Sequence, residues 1–404
     1  MRFNQDALIH DKKCFSRNAL TRRLKEMGFN NLARMELFLW NLEIYLHIQD
    51  FLKDKVVLKG GAATQFYLPV DHQRTSVDID MICAVDDKDI LDDCIAHIEK
   101  RFNGSDTLFK FRLHKPESPK TDLPLLTYYM DVPSVCLGTE LYGRQAGAQE
   151  IKIEFHLFEK IITTHKISSP TLFALETDQT YQILPLDLLI ADKLTTLGPR
   201  TIGIPEERAD EQIKQIYDID SLLTFNLDKF DIDQVHDYFM YRAKLEAKQR
   251  GIDFNKEEII TDMLTQMRAI SSVDMEKNKQ LEKLIKDFQS LYLRKSIAKS
   301  MGEWAIVGAR IQFFMECLDK GSKGKEKLKT ISETEAKLDF NNIHGSEKGK
   351  FINEFKEGFI QKFGRYSKWQ VNVLKGKHQT RIFWAVISTE NAEEICSWIR
   401  HYFG

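Results

Sequence analysis

Apolar residues change their spacing several times along the chain, and each change marks an element. Residues 14–54 carry them at helical spacing. Ser16 or Asn18 is positioned to cap a helix over NALTRRLKEMGF, with Gly28 near its end. ARMELFLWNLEIYLHIQDFLKD follows as a second helix whose apolar face packs on the core. Residues 55–165 alternate short apolar runs with turn-rich pieces. KVVLKGG reads as a strand running into a glycine turn, SVDIDMICAV as an alternating strand, and KDILDDCIAHIEKRF as an amphipathic helix. FKFRLHK, LLTYYMDVPS and EIKIEFHLF read as further strands. This mix predicts an α+β fold, a mixed, partly antiparallel sheet with helices packed on it. Helices return after Pro185 in LDLLIADKLTTL and DEQIKQIYDIDSLL, with TLGPRTIGIPEER as the loop between them, and 231–320 reads as mostly helical. KGSKGKEKLKTISETEAK reads as flexible and lysine-rich. The tail reads as a helix, a hairpin over WQVNVLKGKHQTRIFWAVIS, and a last helix, NAEEICSWIRHYF. The expected parts are a helical lead (1–54), a sheet-containing core (55–165), a helical domain completing its site (166–320), a flexible segment (321–350) and a small α/β module (351–404).

Composition narrows this picture. A chain of 404 residues, 43% hydrophobic and 29% charged, can bury the cores of two or three domains. The net charge of -2, from 58 Lys+Arg against 60 Asp+Glu, excludes nucleic-acid binding by bulk charge and leaves room for a local basic face. The six cysteines form no C-x-x-C pair, which argues against a cysteine zinc site and for reduced thiols. MRFNQDALIHDKKCF has charges where a signal peptide needs an apolar stretch, and no apolar run is long enough to cross a bilayer. The expectation is a cytoplasmic protein with no membrane partner.

Asp-Ile-Asp occurs three times, at 78–80, 218–220 and 231–233, so the triplet alone carries little and each copy reads by default as a solvated surface pair. Context separates the first, which lies in an alternating apolar run downstream of Gly60-Gly61. On a strand, residues two apart share a face. Asp78 and Asp80 therefore aim together, and two such carboxylates suit a hard cation, above all Mg²⁺. A glycine turn lets backbone N–H groups approach phosphates. Strand, glycine turn, helix and acidic strand thus make a plausible site for a nucleoside triphosphate (NTP).

LKGGAATQFYL…RTSVDIDM resembles the first motif of the nucleotidyltransferase superfamily in its AbiEii/AbiGii-type toxin form. Lys59, Gly60, Gly61, Arg74, Ser76, Asp78 and Asp80 match. LPLDLLIADKLTTL, with Lys193, resembles that family's lysine-bearing helix, and IKQIYDIDSLL resembles its last motif helix, with Lys214 and Asp218 at the outer positions. The resemblance spans residues 50–225. It implies a polymerase-beta-like core, Mg²⁺ on Asp78 and Asp80, and nucleotide contacts from Lys59, Gly60, Gly61, Ala62, Arg74, Ser76 and Lys214. Lys193 would then neutralise the leaving pyrophosphate, with Asp218 holding that lysine or touching base or ribose. The chain departs from the family at Ala62, where Ser or Thr is usual, and at Gln215, where an aspartate is usual. The superfamily also uses a third carboxylate. Glu154, on one face with Lys152 and His156, is the first candidate and Asp131 the second. Arg200 and Arg208 read as surface residues or as further phosphate contacts.

The histidines, His72 and His114 included, form no metal signature. KFGRYSKWQVNVLKGKHQTR interleaves basic residues with Tyr366 and Trp369, a surface suited to RNA, though Trp369, Phe383 and Trp384 read equally well as a small core. The reading is a Mg²⁺-dependent nucleotidyltransferase acting on an acceptor hydroxyl. The resemblance implies an RNA acceptor, such as the tRNA 3′ end, and a partner antitoxin. The alternatives are a small-molecule nucleotidyltransferase and a nucleotide-binding protein without turnover.

Overall fold

The structure is a computed structural model that describes residues 3–85, 87–103, 109–114, 124–136, 148–158, 163–367 and 371–403. These residues form two compact units. The first is 1–189 with 249–251 and 286–298; the second is 190–248, 252–285 and 299–404.

The first unit is built on a seven-stranded mixed sheet, β1 (Val56–Lys59), β2 (Asp78–Cys83), β3 (Lys110–Leu113), β4 (Leu125–Pro133), β5 (Ala148–Leu157), β6 (His165–Ser168) and β7 (Thr180–Ile183), in the order β3-β4-β5-β2-β1-β7-β6. β2 runs parallel to β5 and β1 parallel to β7, while the other neighbours are antiparallel. The expected strands all form. Alternation explains β5: Ile151, Ile153 and Phe155 are fully buried, while Glu150, Lys152, Glu154 and His156 lie half-buried on the other face.

Two helices precede the sheet. α1 (Arg17–Met27) is capped by Ser16, whose hydroxyl accepts from Ala19 N, and ends on left-handed Gly28. α2 (Leu32–Leu52) is buried nearly all round, so it shows no single apolar face. Its buried polar residues act as pegs. Glu36 accepts from Ser134 Oγ (2.6 Å) and Val135 N (2.7 Å) near the end of β4. Asn41 Nδ2 donates to Ser76 O (3.1 Å) and Asp78 O (3.5 Å) at the start of β2. Glu43 accepts from Ile9 N (2.7 Å), His10 and His47. Burial alone would push the Glu43 carboxyl up. Hydrogen bonds from the two histidines outweigh that and hold it at about 2. Tyr45 accepts from Leu58 N in β1 (3.1 Å). The short helix α3 (Gly60–Thr64) follows β1, and α4 (Lys88–Asn103) follows β2.

The remaining helices are α5 (Leu186–Leu194), α6 (Ala209–Asn226), α7 (Ile232–Gln249), α8 (Lys256–Ser271), α9 (Lys279–Tyr292), α10 (Met301–Leu318), α11 (Ser322–Ala336), α12 (Glu347–Phe363), α13 (Val371–Leu374), α14 (Gln379–Val386) and α15 (Ala392–Phe403). Two expectations are corrected. The lysine-rich segment is helical as α11, because Gly324, Leu328 and Ile331 recur at helical spacing and are buried. The tail hairpin and its α/β module are replaced by helices α13 and α14. α14 buries Arg381, Ile382, Phe383, Trp384 and Val386, and its eight residues are too few for helical spacing to stand out within the β-prone run RIFWAV. Phe383 and Trp384 belong to a core, Tyr366 is exposed, and Trp369 lies outside the described residues. All six cysteines are free. Among the described residues no helix is long and apolar enough to cross a membrane.

Asn41 is the peg that meets the acidic strand, and its loss leaves the Ser76 carbonyl without that donor. Asn41→Leu is expected to cost ~1–3 kcal/mol, read as a lower midpoint in urea unfolding with an unchanged slope.

Candidate active site

Pairing across the sheet sets the site. Lys59 in β1 faces Asp80 in β2, and Asp80 faces Glu154 in β5, which faces Thr127 in β4. Paired residues point to one side of a sheet. Lys59, Asp80, Glu154 and Thr127 therefore form one row, and Asp78 with its partner Lys152 starts the next. Lys152 Nζ bridges to Glu154 Oε1 at 2.9 Å, and Thr127 Oγ1 donates to the same oxygen at 3.3 Å. Asp131 sits elsewhere, bound at 3.0 Å by Arg112, so of the two candidates Glu154 is the one that stands beside Asp80.

The electrostatics follow from that crowding. Burial, then the charges of Glu154 and Asp78, push Asp80 up to about 8, against the pull of Lys59. Burial would raise Glu154 too, but Lys152, the Asp80 hydrogen bond and Lys59 hold it below the usual glutamate range. Burial would lower Lys152, yet the surrounding carboxylates raise it. The crowding thus pushes the two neighbouring acids in opposite directions, Asp80 up and Glu154 down.

The glycine pair packs against the second half of the motif. Gly60 has φ +69°, and a Cβ there would collide with the Asp80 carboxylate. A Cβ on Gly61 would lie 2.8 Å from both Arg74 Nη2 and Ser76 Oγ. The glycines therefore make room for Asp80, Arg74 and Ser76 as well as exposing backbone. Gln65, which gave no signal in the sequence, ties the halves together: its Nε2 donates to Gly61 O (2.7 Å) and its Oε1 accepts from Arg74 N (2.8 Å). Gln73, equally silent, is buried and donates to the carbonyls of Gln65, Leu68 and Thr171 at 2.9–3.0 Å while accepting from Phe173 N (2.8 Å). Ala62 is buried, so its side chain faces protein.

The second unit holds the other motif residues. Lys193, on α5, is 2% exposed, and its Nζ donates to Asp218 Oδ2 (2.7 Å) and Gln215 Oε1 (2.9 Å) on α6. Asp218 is thus the lysine's holder, and Gln215, the departure from the family pattern, is its second acceptor. Lys214 is half-buried on the same helix. Arg200 pairs with Glu206 at 3.1 Å and Arg208 with Glu211, both at the surface.

Among the described residues no three His, Cys, Asp or Glu form a ready-made metal cage. Magnesium needs only one or two protein carboxylates and takes water and phosphate for the rest. Asp78 and Asp80, hard oxygen donors on one strand face with a like-charged neighbour, fit that ion.

A carboxyl raised in the folded state holds a proton that the unfolded chain has lost. Asp80 therefore makes the metal-free protein less stable as pH rises from about 4 to about 8. Asp80→Asn is expected to flatten this slope in metal-free melts and to raise Tm at pH 8. It is also expected to abolish any Mg²⁺-dependent gain in Tm.

No curated protein matches the chain. A family model described as nucleotidyl transferase AbiEii toxin, type IV toxin–antitoxin system, matches residues 45–299, which include the acidic row, the glycine turn and the Lys193–Asp218 pair. The chain belongs to the AbiEii family of nucleotidyl transferase toxins.

Proposed function

We propose that the chain transfers a nucleotide from an NTP to a hydroxyl of RNA, with the tRNA 3′ end as the first acceptor to test, and that an antitoxin protein restrains it in the cytoplasm. The observation that carries this reading is the row Lys59–Asp80–Glu154 beside Asp78, with the glycine turn folded directly against Asp80. Asp78 and Asp80 would hold Mg²⁺. When bound, that ion acidifies the attacking hydroxyl and offsets charge on the leaving group. Glu154, kept ionised by Lys152, takes the proton of the attacking hydroxyl. The hydroxyl oxygen bonds to the α-phosphorus, the bond from that phosphorus to the bridging oxygen breaks, and pyrophosphate leaves. Lys59 keeps positive charge beside the acids, and Arg74 and Ser76 flank the turn where phosphates would lie.

Pyrophosphate release from each NTP, with and without tRNA, tests the reading. Release with label entering RNA supports it, and Asp78→Asn is expected to reduce the rate by at least about a hundredfold. Release without RNA but with a small acceptor would point to small-molecule transfer. NTP binding without release in any mixture would leave a binding protein.

Lys193 needs a more careful test. Its burial against Asp218 means that Lys193→Ala strands a buried carboxylate, which costs ~3–5 kcal/mol, so the fold does not stay unchanged as a solvated lysine would allow. Lys193→Met with Asp218→Leu is expected to recover Tm but not turnover. Recovery of both would remove Lys193 from the reaction.

A further inference from the structure

The first unit includes a segment far along the chain, residues 286–298, which carries the end of α9. This segment meets the motif loop through several contacts. Thr75 N donates to Tyr292 O at 3.1 Å, and Thr75 Oγ1 reaches the same carbonyl at 3.4 Å. Arg294 donates to Val70 O and lies 5.3 Å over the Phe29 ring. Lys295 N donates to Gly28 O at 3.2 Å. The Tyr292 ring, nearly buried, has two guanidinium carbons over it, that of Arg34 at 4.1 Å and that of Arg74 at 5.9 Å.

Arg74 is the residue that gives this arrangement a consequence. It is 2% exposed, and a buried guanidinium must be matched by acceptors or π-faces. Its Nη1 donates to Thr75 O at 2.7 Å, and its Nη2 fills the space above Gly61. The guanidinium thus lies between the glycine turn and the Tyr292 ring. We propose that Tyr292 is a positioning residue: its ring sets the Arg74 guanidinium against Gly61, and through it the geometry of the NTP-binding turn. The effect on nucleotide binding rests on the transferase reading above; the placement of Arg74 does not.

The ring is the active feature, so Tyr292→Phe, which keeps it, should behave as wild type and Tyr292→Leu, which is smaller and has no π-face, should not. Two readouts are measured on the full chain, with Tm checking that each variant folds. The first is hydrogen exchange at the amides of Gly61, Arg74 and Thr75, which needs no substrate. Leu is expected to speed exchange there and Phe to leave it unchanged. The second is the kinetic split: Leu is expected to raise KM for the NTP about tenfold with kcat nearly constant, and Phe to restore it. In an Arg74→Met background, Tyr292→Leu should add nothing further to KM. A packing role alone predicts a Leu effect that persists without Arg74; that result, or equal effects of Leu and Phe, overturns the proposal. A wild type that transfers no nucleotide, but whose exchange responds to Leu and not to Phe, refutes the transferase reading while upholding the placement of Arg74.

Discussion

Carboxylates forced into one small space repel each other, and the first unit is arranged around that fact. The pleat fixes Asp78 and Asp80 on one face of β2, and parallel pairing with β5 brings Glu154 alongside Asp80. Left alone, three acids there would push the strands apart or protonate. Lys59 enters the same row from β1 and Lys152 bridges Glu154 from within β5. Even so, burial and the neighbouring carboxylates push Asp80 up to about 8, which is the electrostatics of a row that favours a further cation. The rest of the motif serves the same row. Gly60 is glycine because the Asp80 carboxylate occupies the place of its Cβ, and Gly61 because Arg74 and Ser76 occupy the place of the other. The two halves of the motif, separated in sequence, are one contact in space.

Buried polar side chains hold these parts in register. Gln65 and Gln73 fasten the loop between glycine turn and acidic strand, and Asn41 fastens the strand's first carbonyls to α2. Each such bond adds little net stability, but leaving its partner unmet is costly. These groups therefore specify one arrangement more than they strengthen it. The second unit uses ions the same way. Asp220 is buried between Arg310 and Lys299, and Arg242 is buried with Asp192 at 3.0 Å and Glu246 at 3.1 Å.

Much of this was legible in the sequence, and the exceptions have physical causes. Five of the seven strands were readable as short apolar runs between turn signals, while β6 and β7, four residues each, were too short to stand out; the first Asp-Ile-Asp stood out because it interrupts an apolar run. The other two triplets show what a default reading misses. At 218–220 both acids are buried, not solvated. On a helix, residues two apart point in different directions, so Asp218 meets Lys193 while Asp220 meets Arg310. At 231–233 the triplet is a helix start, with Asp231 accepting from Asp233 N at 2.9 Å. The family resemblance offered Asp218 as the holder of Lys193, but nothing in a single sequence pairs Asp220 with an arginine 90 residues away, so that partner stayed hidden. α11 was misread because composition was weighed above period, and α14 because an eight-residue helix rich in aromatic and β-branched residues resembles a strand. Gln65, Gln73 and Tyr292 gave no signal, since their roles depend on contacts that only the fold creates.

The two departures from the family pattern can now be weighed by charge. Lys193 is buried, so its positive charge must be balanced locally. With Asp218 alone, the pair is neutral. A second aspartate at 215 would add a further buried charge, whereas Gln215 supplies an acceptor at 2.9 Å and no charge. The substitution therefore lowers the electrostatic cost of burying the lysine and keeps its geometry, at the loss of one carboxylate. Ala62 follows a related logic. Its position is buried in a five-residue helix whose neighbouring hydroxyl, Thr64 Oγ1, already returns to Gly60 O at 2.9 Å. A hydroxyl at 62 would need its own partner there, and alanine needs none. Both changes trade polar groups for lower desolvation cost, and neither touches the row in which Asp80 meets Glu154.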